Sequence, residues 1–156
     1  MVSQSIGWRW PAVTMAVLGV VAAAVLVGPV EADPQDSMGL AGSRTVTVTE
    51  VIDGDTFDTS DGQTVRVLGT DSCERSTPRG PEATAAARRL LGGQTVTLVE
   101  EPGVDLDPFE RQLRYVQLPS GADYGLSVIG APHTGVYQGS NDANPDYLTQ
   151  LRAADD

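Results

Sequence analysis

Residues 44–69 read RTVTVTEVIDGDTFDTSDGQTVRVLG. From Thr45 to Thr49, Thr and Val alternate, and a period of two puts the valines on one face of a strand over 44–52. The run breaks at Asp53-Gly54-Asp55, residue types that favour turns. β-Formers resume at Thr56, which predicts a second strand over 56–59, and Ser60-Asp61-Gly62 makes a tight turn. A third strand over 63–69 sets Val65 and Val67 on one face and Arg66 and Leu68 on the other.

The rest of the chain extends that pattern. Residues 70–79, TDSCERSTPR, read as a polar loop. Gly80-Pro81 opens a helix, with Pro81 suited to the first turn. Ala83, Ala86, Ala87, Leu90 and Leu91 form one apolar stripe, and Gly92-Gly93 stops the helix. Residues 94–100 and 112–118 are the fourth and fifth strands, separated by the acidic loop EPGVDLDPFER. Residues 124–131 predict a short helix, 132–144 irregular coil, and 146–153 a last short helix. Three strands, a helix and two strands imply a mainly β (α+β) domain. The expected form is a five-stranded OB-type Greek-key barrel with a helix between strands 3 and 4.

The chain has 156 residues, and they divide unevenly. Residues 12–28, AVTMAVLGVVAAAVLVG, are apolar apart from Thr14, follow Arg9 and precede the small-residue site at Val30-Glu31-Ala32. Residues 1–32 therefore read as a secretory signal peptide cut after Ala32, with a retained membrane anchor as the alternative. Both put the remainder in the cell envelope or outside the cell. Residues 33–43 read as a flexible linker and 44–156 as one domain, large enough for a single core and expected to be a monomer.

Net charge is −11, and all ten basic residues are arginine. An acidic chain without lysine is poorly suited to tight nonspecific binding of duplex DNA, which draws on counterion release at basic residues. A nucleic-acid function must then rest on a local basic site. Cys73 is the single cysteine, so no internal disulfide forms.

Charged residues gather around the third strand. Asp55 opens strand two, Arg66 lies on strand three, Asp71 follows its end, Glu74 comes three residues later and Arg111 opens strand five. If the barrel joins these strand ends, the set matches the needs of phosphodiester hydrolysis. A hard divalent cation on Asp55 and Asp71 would neutralise the anion. The planar forks of Arg66 and Arg111 fit phosphate oxygens, and Glu74 could orient or deprotonate a water. Taken alone, Asp53-Gly54-Asp55 also reads as a plain turn and Arg66 as a surface ion-pair partner. Asp53 reads as a loop-bracing carboxylate. An EF-hand over 53–61 fails, because Phe57 occupies a ligand position and Asp58 the required glycine.

From about Thr45 to Val116 the chain resembles the thermonuclease-like (staphylococcal-nuclease-like) domains. The resemblance is carried by VIDGDT at 51–56, by the R-x4-D-x2-E spacing of Arg66, Asp71 and Glu74, by GPEA at 80–83, and by Asp107–Arg111, similar to the family's D-x-Y-G-R. It implies a Ca²⁺-dependent nuclease acting on DNA or RNA, with single strands favoured and 3′-phosphate ends left. Asp55, Asp71 and the backbone carbonyl of Ser72 would hold Ca²⁺, Glu74 would act as general base, and Arg66 and Arg111 would clamp the phosphate. Phe109, Tyr115 and Tyr137 are the candidate base-binding aromatics, Tyr115 also suiting the core. The chain departs from the pattern at Ser72-Cys73, where Thr or Ala and then Pro are usual, at Phe109 in place of Tyr, and at Glu110 in place of Gly. A carboxylate at 110 could neutralise Arg111, and a side chain there resists positive φ. A catalytically weak or inactive OB module that binds oligonucleotides or a protein partner is the alternative, and a calcium-binding structural domain a third. Cys73 reads as an inert side chain, His133 as a surface loop residue and Arg88-Arg89 as a solvated helix face.

Overall fold

The computed structural model describes residues 42–139 and 142–155. The apolar segment at 1–32 and the linker up to residue 41 lie outside the described residues. In chain order the elements are β1 (Ser43–Val51), β2 (Thr56–Thr59), β3 (Thr64–Val67), β4 (Thr70–Ser72), α1 (Gly80–Leu91), β5 (Thr95–Val99), β6 (Gln112–Gln117), α2 (Tyr124–Val128), β7 (Thr134–Val136) and α3 (Pro145–Ala154).

Five of the strands close into a barrel of the OB type in the order β1-β2-β3-β6-β5. β3 and β6 pair in parallel, and the other barrel pairs are antiparallel. β1 serves two neighbours, since Ser43–Thr47 pairs with β5 and Val48–Val51 with β2. A register shift between Val48 and Glu50 separates the two halves. That extra residue also changes which positions face inward. Val46 and Val48 are buried at period two; after the shift Glu50 is exposed and Val51 turns into the core.

Inside the barrel, Phe57, Val65, Val67, Val96, Leu98 and Val116 are almost fully buried. α1 covers one flank of this core with Ala83, Ala86, Ala87 and Leu91, the stripe that its spacing predicts. Its alanines are small, so the helix axis can come close to the sheet. α1 falls in the chain between the third and fourth strands of the barrel.

Two strands went unseen in the sequence. β4 lies in the stretch expected as a polar loop and β7 in the stretch expected as coil; they pair with each other, Thr70 with Val136 and Ser72 with Thr134. The short helix expected over 124–131 ends at Val128. The β4–β7 ribbon fixes Asp71 and Ser72 beside the Asp53-Gly54-Asp55 turn, and so shapes the site.

Candidate functional site

Arg66 is the centre of the charged cluster. β3 presents it on the face opposite Val65 and Val67, with its side chain 13% exposed. Its Nη1 lies 2.9 Å from Asp55 Oδ1 and donates to the Thr70 carbonyl at 2.8 Å. Its Nη2 donates to Asp71 Oδ1 at 3.2 Å. Both candidate ligand carboxylates thus meet one guanidinium, and the fork's own width sets how far apart they can be. Asp55 is buried. Its Oδ1 also accepts from the Thr56 hydroxyl at 2.8 Å and its Oδ2 from the Ser72 N–H at 2.7 Å.

Burial is the main influence on Asp55 and pushes its carboxyl up to about 7; Arg66 and Thr56 pull it down, and Asp53 adds to the rise. A carboxylate out of water is costly unless fully compensated, and here burial outweighs the pull of Arg66 and Thr56. Glu74 stands on the loop after β4. Desolvation and the neighbouring Asp53 raise its carboxyl above the usual range, while Arg111 and Arg66 oppose the rise. A raised carboxyl suits a group that must take a proton from water.

Arg111 is set by its own turn. Asp107 Oδ2 accepts from Arg111 Nε at 2.6 Å, and Asp107 Oδ1 accepts from the N–H groups of Phe109 and Arg111 at 2.8 and 3.0 Å. Holding Nε leaves the two Nη groups, the ends of the fork, without a hydrogen-bond partner among the described residues. The ion-pair partner of Arg111 is therefore Asp107, and the neutralisation expected from Glu110 is not seen. Glu110 does take the positive φ that its place in the pattern implies, at 64°.

Arg66, Asp71, Glu74, Phe109, Arg111 and Tyr137 line one cleft of about 560 Å³. Asp55 lies just behind its wall, joined through Arg66. Each cleft arginine also faces a ring: Arg66 stands 5.8 Å from the Tyr137 centroid and Arg111 5.4 Å from that of Phe109. Tyr115 does not join them. Its hydroxyl donates to Glu101, its ring packs edge-on against Tyr147, and it borders a different hollow with Val99 and Asp123. Position along the strand accounts for this: Leu113 on β6 lines the cleft, while Tyr115 lies nearer the strand's other end, where β6 pairs with β5.

Among the described residues, no group of three or more acidic, His or Cys side chains stands close enough to cage a metal. The donor set is instead a pair of carboxylates, Asp55 and Asp71, with the carbonyl of Ser72, which follows Asp71 on β4. All are hard oxygens of the kind that Ca²⁺ takes, and water completes such a shell. Asp55 and Asp71 meet at one guanidinium and the Ser72 amide bonds to Asp55, so these hard oxygens stand close enough to fit a sparse site of this type.

Three residues that shape the cleft had no role assigned in the sequence. Asp107 was legible in principle, since an Asp before Pro signals an Asx-type turn. Thr77 and Tyr124 gave no such signal: Thr77 caps the Glu74 carbonyl three residues back, a contact that no residue pattern marks, and Tyr124 reaches the Gly54 carbonyl across 70 residues. Set against protein-family models, the chain matches none, and no curated protein matches it either.

Proposed function

We propose that the chain is an exported nuclease that hydrolyses phosphodiester bonds of single-stranded DNA or RNA with Ca²⁺, leaving 3′-phosphate ends. The observation that carries this reading is the convergence of Arg66, Asp71, Glu74 and Arg111 on one cleft, with Asp55 bonded behind it. Ca²⁺ held by Asp55, Asp71 and the Ser72 carbonyl would neutralise charge on the phosphate. Glu74 takes a proton from the attacking water as its oxygen bonds to phosphorus. The phosphorus–O5′ bond breaks, and the leaving oxygen collects a proton from solvent. The free Nη pair of Arg111 and the fork of Arg66 stabilise the five-coordinate phosphorus, where an added donor counts most. Phe109 and Tyr137 offer ring faces to the bases on either side.

A second reading has one observation in its favour. Arg66 is already engaged by two carboxylates, as in a module that binds without cleaving. A labelled single-stranded oligonucleotide separates the two. The nuclease degrades it with Ca²⁺ and not with EDTA, and Glu74→Ala lowers the rate about 10²–10³-fold. Binding without product at any Ca²⁺ concentration rejects hydrolysis and favours the binding module.

A further inference from the structure

The turn that carries Asp55 is held by a residue from the far end of the domain. Tyr124 opens α2 and is fully buried. Its hydroxyl donates to the Gly54 carbonyl at 2.7 Å, across 70 residues of sequence. That carbonyl and the Asp55 N–H belong to one planar peptide unit. The N–H end is held too, since it donates to Asp53 Oδ1 at 3.1 Å. With both polar ends fixed, the plane cannot rotate, and the Asp55 Cα that follows it is fixed in direction. Gly54 itself is closed in by the β4–β7 ribbon. A Cβ there would stand 2.6 Å from Ser72 Cβ and 3.2 Å from Thr134 Oγ1. Glycine seats in this space, and the Tyr124 hydroxyl meets the turn's carbonyl.

We infer that Tyr124 is a positioning residue for Asp55, its hydroxyl orienting the Gly54–Asp55 peptide so that the carboxylate meets Arg66 and the Ser72 amide. The inference rests on the reading of Asp55 as a cation ligand only for its effect on affinity; the positioning itself is a property of the metal-free protein. Burial first, then the charges of Asp55 and Asp53, push the phenol well above its ordinary range, so it remains a donor throughout the working range of pH. Replacing it by phenylalanine keeps the ring in the core and leaves a buried carbonyl without its donor.

The test compares the full-length protein with Tyr124→Phe and Tyr147→Phe. The Tyr147 hydroxyl donates to Asp123 at 2.7 Å and not to the turn, so its loss matches the deletion without touching Asp55. Hydrogen exchange of the Ser72 amide, which donates to Asp55, is followed in EDTA, with β1 and β5 amides as the global baseline. Calcium affinity is measured by titration calorimetry. Tyr124→Phe is expected to speed Ser72 exchange about tenfold beyond the baseline and to weaken calcium about tenfold, with neither effect in Tyr147→Phe. Unchanged Ser72 exchange in Tyr124→Phe, or an equal change in both variants, overturns the inference. If the wild-type protein takes up no calcium, the cation reading of the site falls, and Ser72 exchange alone then decides the role of Tyr124.

Discussion

Glu110 has one of two positive-φ backbones among the described non-glycine residues, at 64°. The turn around it explains why. Asp107 N–H donates to the Arg111 carbonyl and Glu110 N–H to the Asp107 carbonyl, both at 3.0 Å, which closes the loop so tightly that residue 110 must enter the left-handed region. A side chain there costs about 1–2 kcal/mol. Glycine would remove that cost and forfeit about 0.5–1 kcal/mol of unfolded-state entropy. The relief outweighs the loss, so Glu110→Gly is expected to stabilise the protein by about 0.5–1 kcal/mol, read as a rise in the urea midpoint. A fall in the midpoint would mean that the turn relaxes at little cost. The chain's likeness to D-x-Y-G-R made this strain legible in the sequence, because glycine is the residue that such a turn selects. The partner of Arg111 was not legible: proximity in sequence suggested Glu110, whereas the turn brings Asp107 to Nε.

Between β4 and α1 the segment that carries Glu74 is well braced. The Glu74 carbonyl accepts from the Thr77 N–H at 2.8 Å and from the Thr77 hydroxyl at 2.7 Å. Gly80, the first residue of α1, packs directly on that same carbonyl, and a Cβ at position 80 would overlap its oxygen. The helix start and the candidate base are thus one packed unit. Gly80→Ala is expected to destabilise by about 1–3 kcal/mol, the usual cost of forcing atoms into a filled site. Urea denaturation gives the answer, and an unchanged midpoint would show that the loop yields freely. The GPEA string placed the helix correctly without revealing this contact. β4 and β7 were lost for a related reason. Each has three residues, too few to display alternation, and their pairing spans more than sixty positions, beyond what a local pattern can encode. The barrel strands and α1 were readable because their burial is periodic along the chain.

For the molecule as a whole, acidity and burial act in the same direction. Net charge is −11, so self-repulsion grows as carboxyls ionise. Among the carboxyls Asp55 contributes the largest single effect, its folded group pushed up to about 7 from an ordinary value of 3.8. Between those two values the native protein holds a proton that the unfolded chain has released. Stability of the metal-free protein therefore falls as pH rises from about 4 to about 7 and levels off above. Glu74, also raised, adds to the fall. Asp61 and Asp107 lie below the ordinary carboxyl value; their contribution is present above the unfolded carboxyl value and is lost only as pH drops through their folded values, below this window. In EDTA, the unfolding free energy at pH 7.5 should accordingly be lower than at pH 5 by up to a few kcal/mol, because a tenfold change in proton affinity between the folded and unfolded chains corresponds to about 1.4 kcal/mol. Asp55→Asn carries no ionisable group at this position and should flatten most of the slope. Added Ca²⁺ should restore stability at pH 7.5 far more than at pH 5, since its ligands must be ionised to bind. A wild-type slope that survives Asp55→Asn intact would assign the pH dependence to the overall charge and leave Asp55 an ordinary, well-compensated carboxylate.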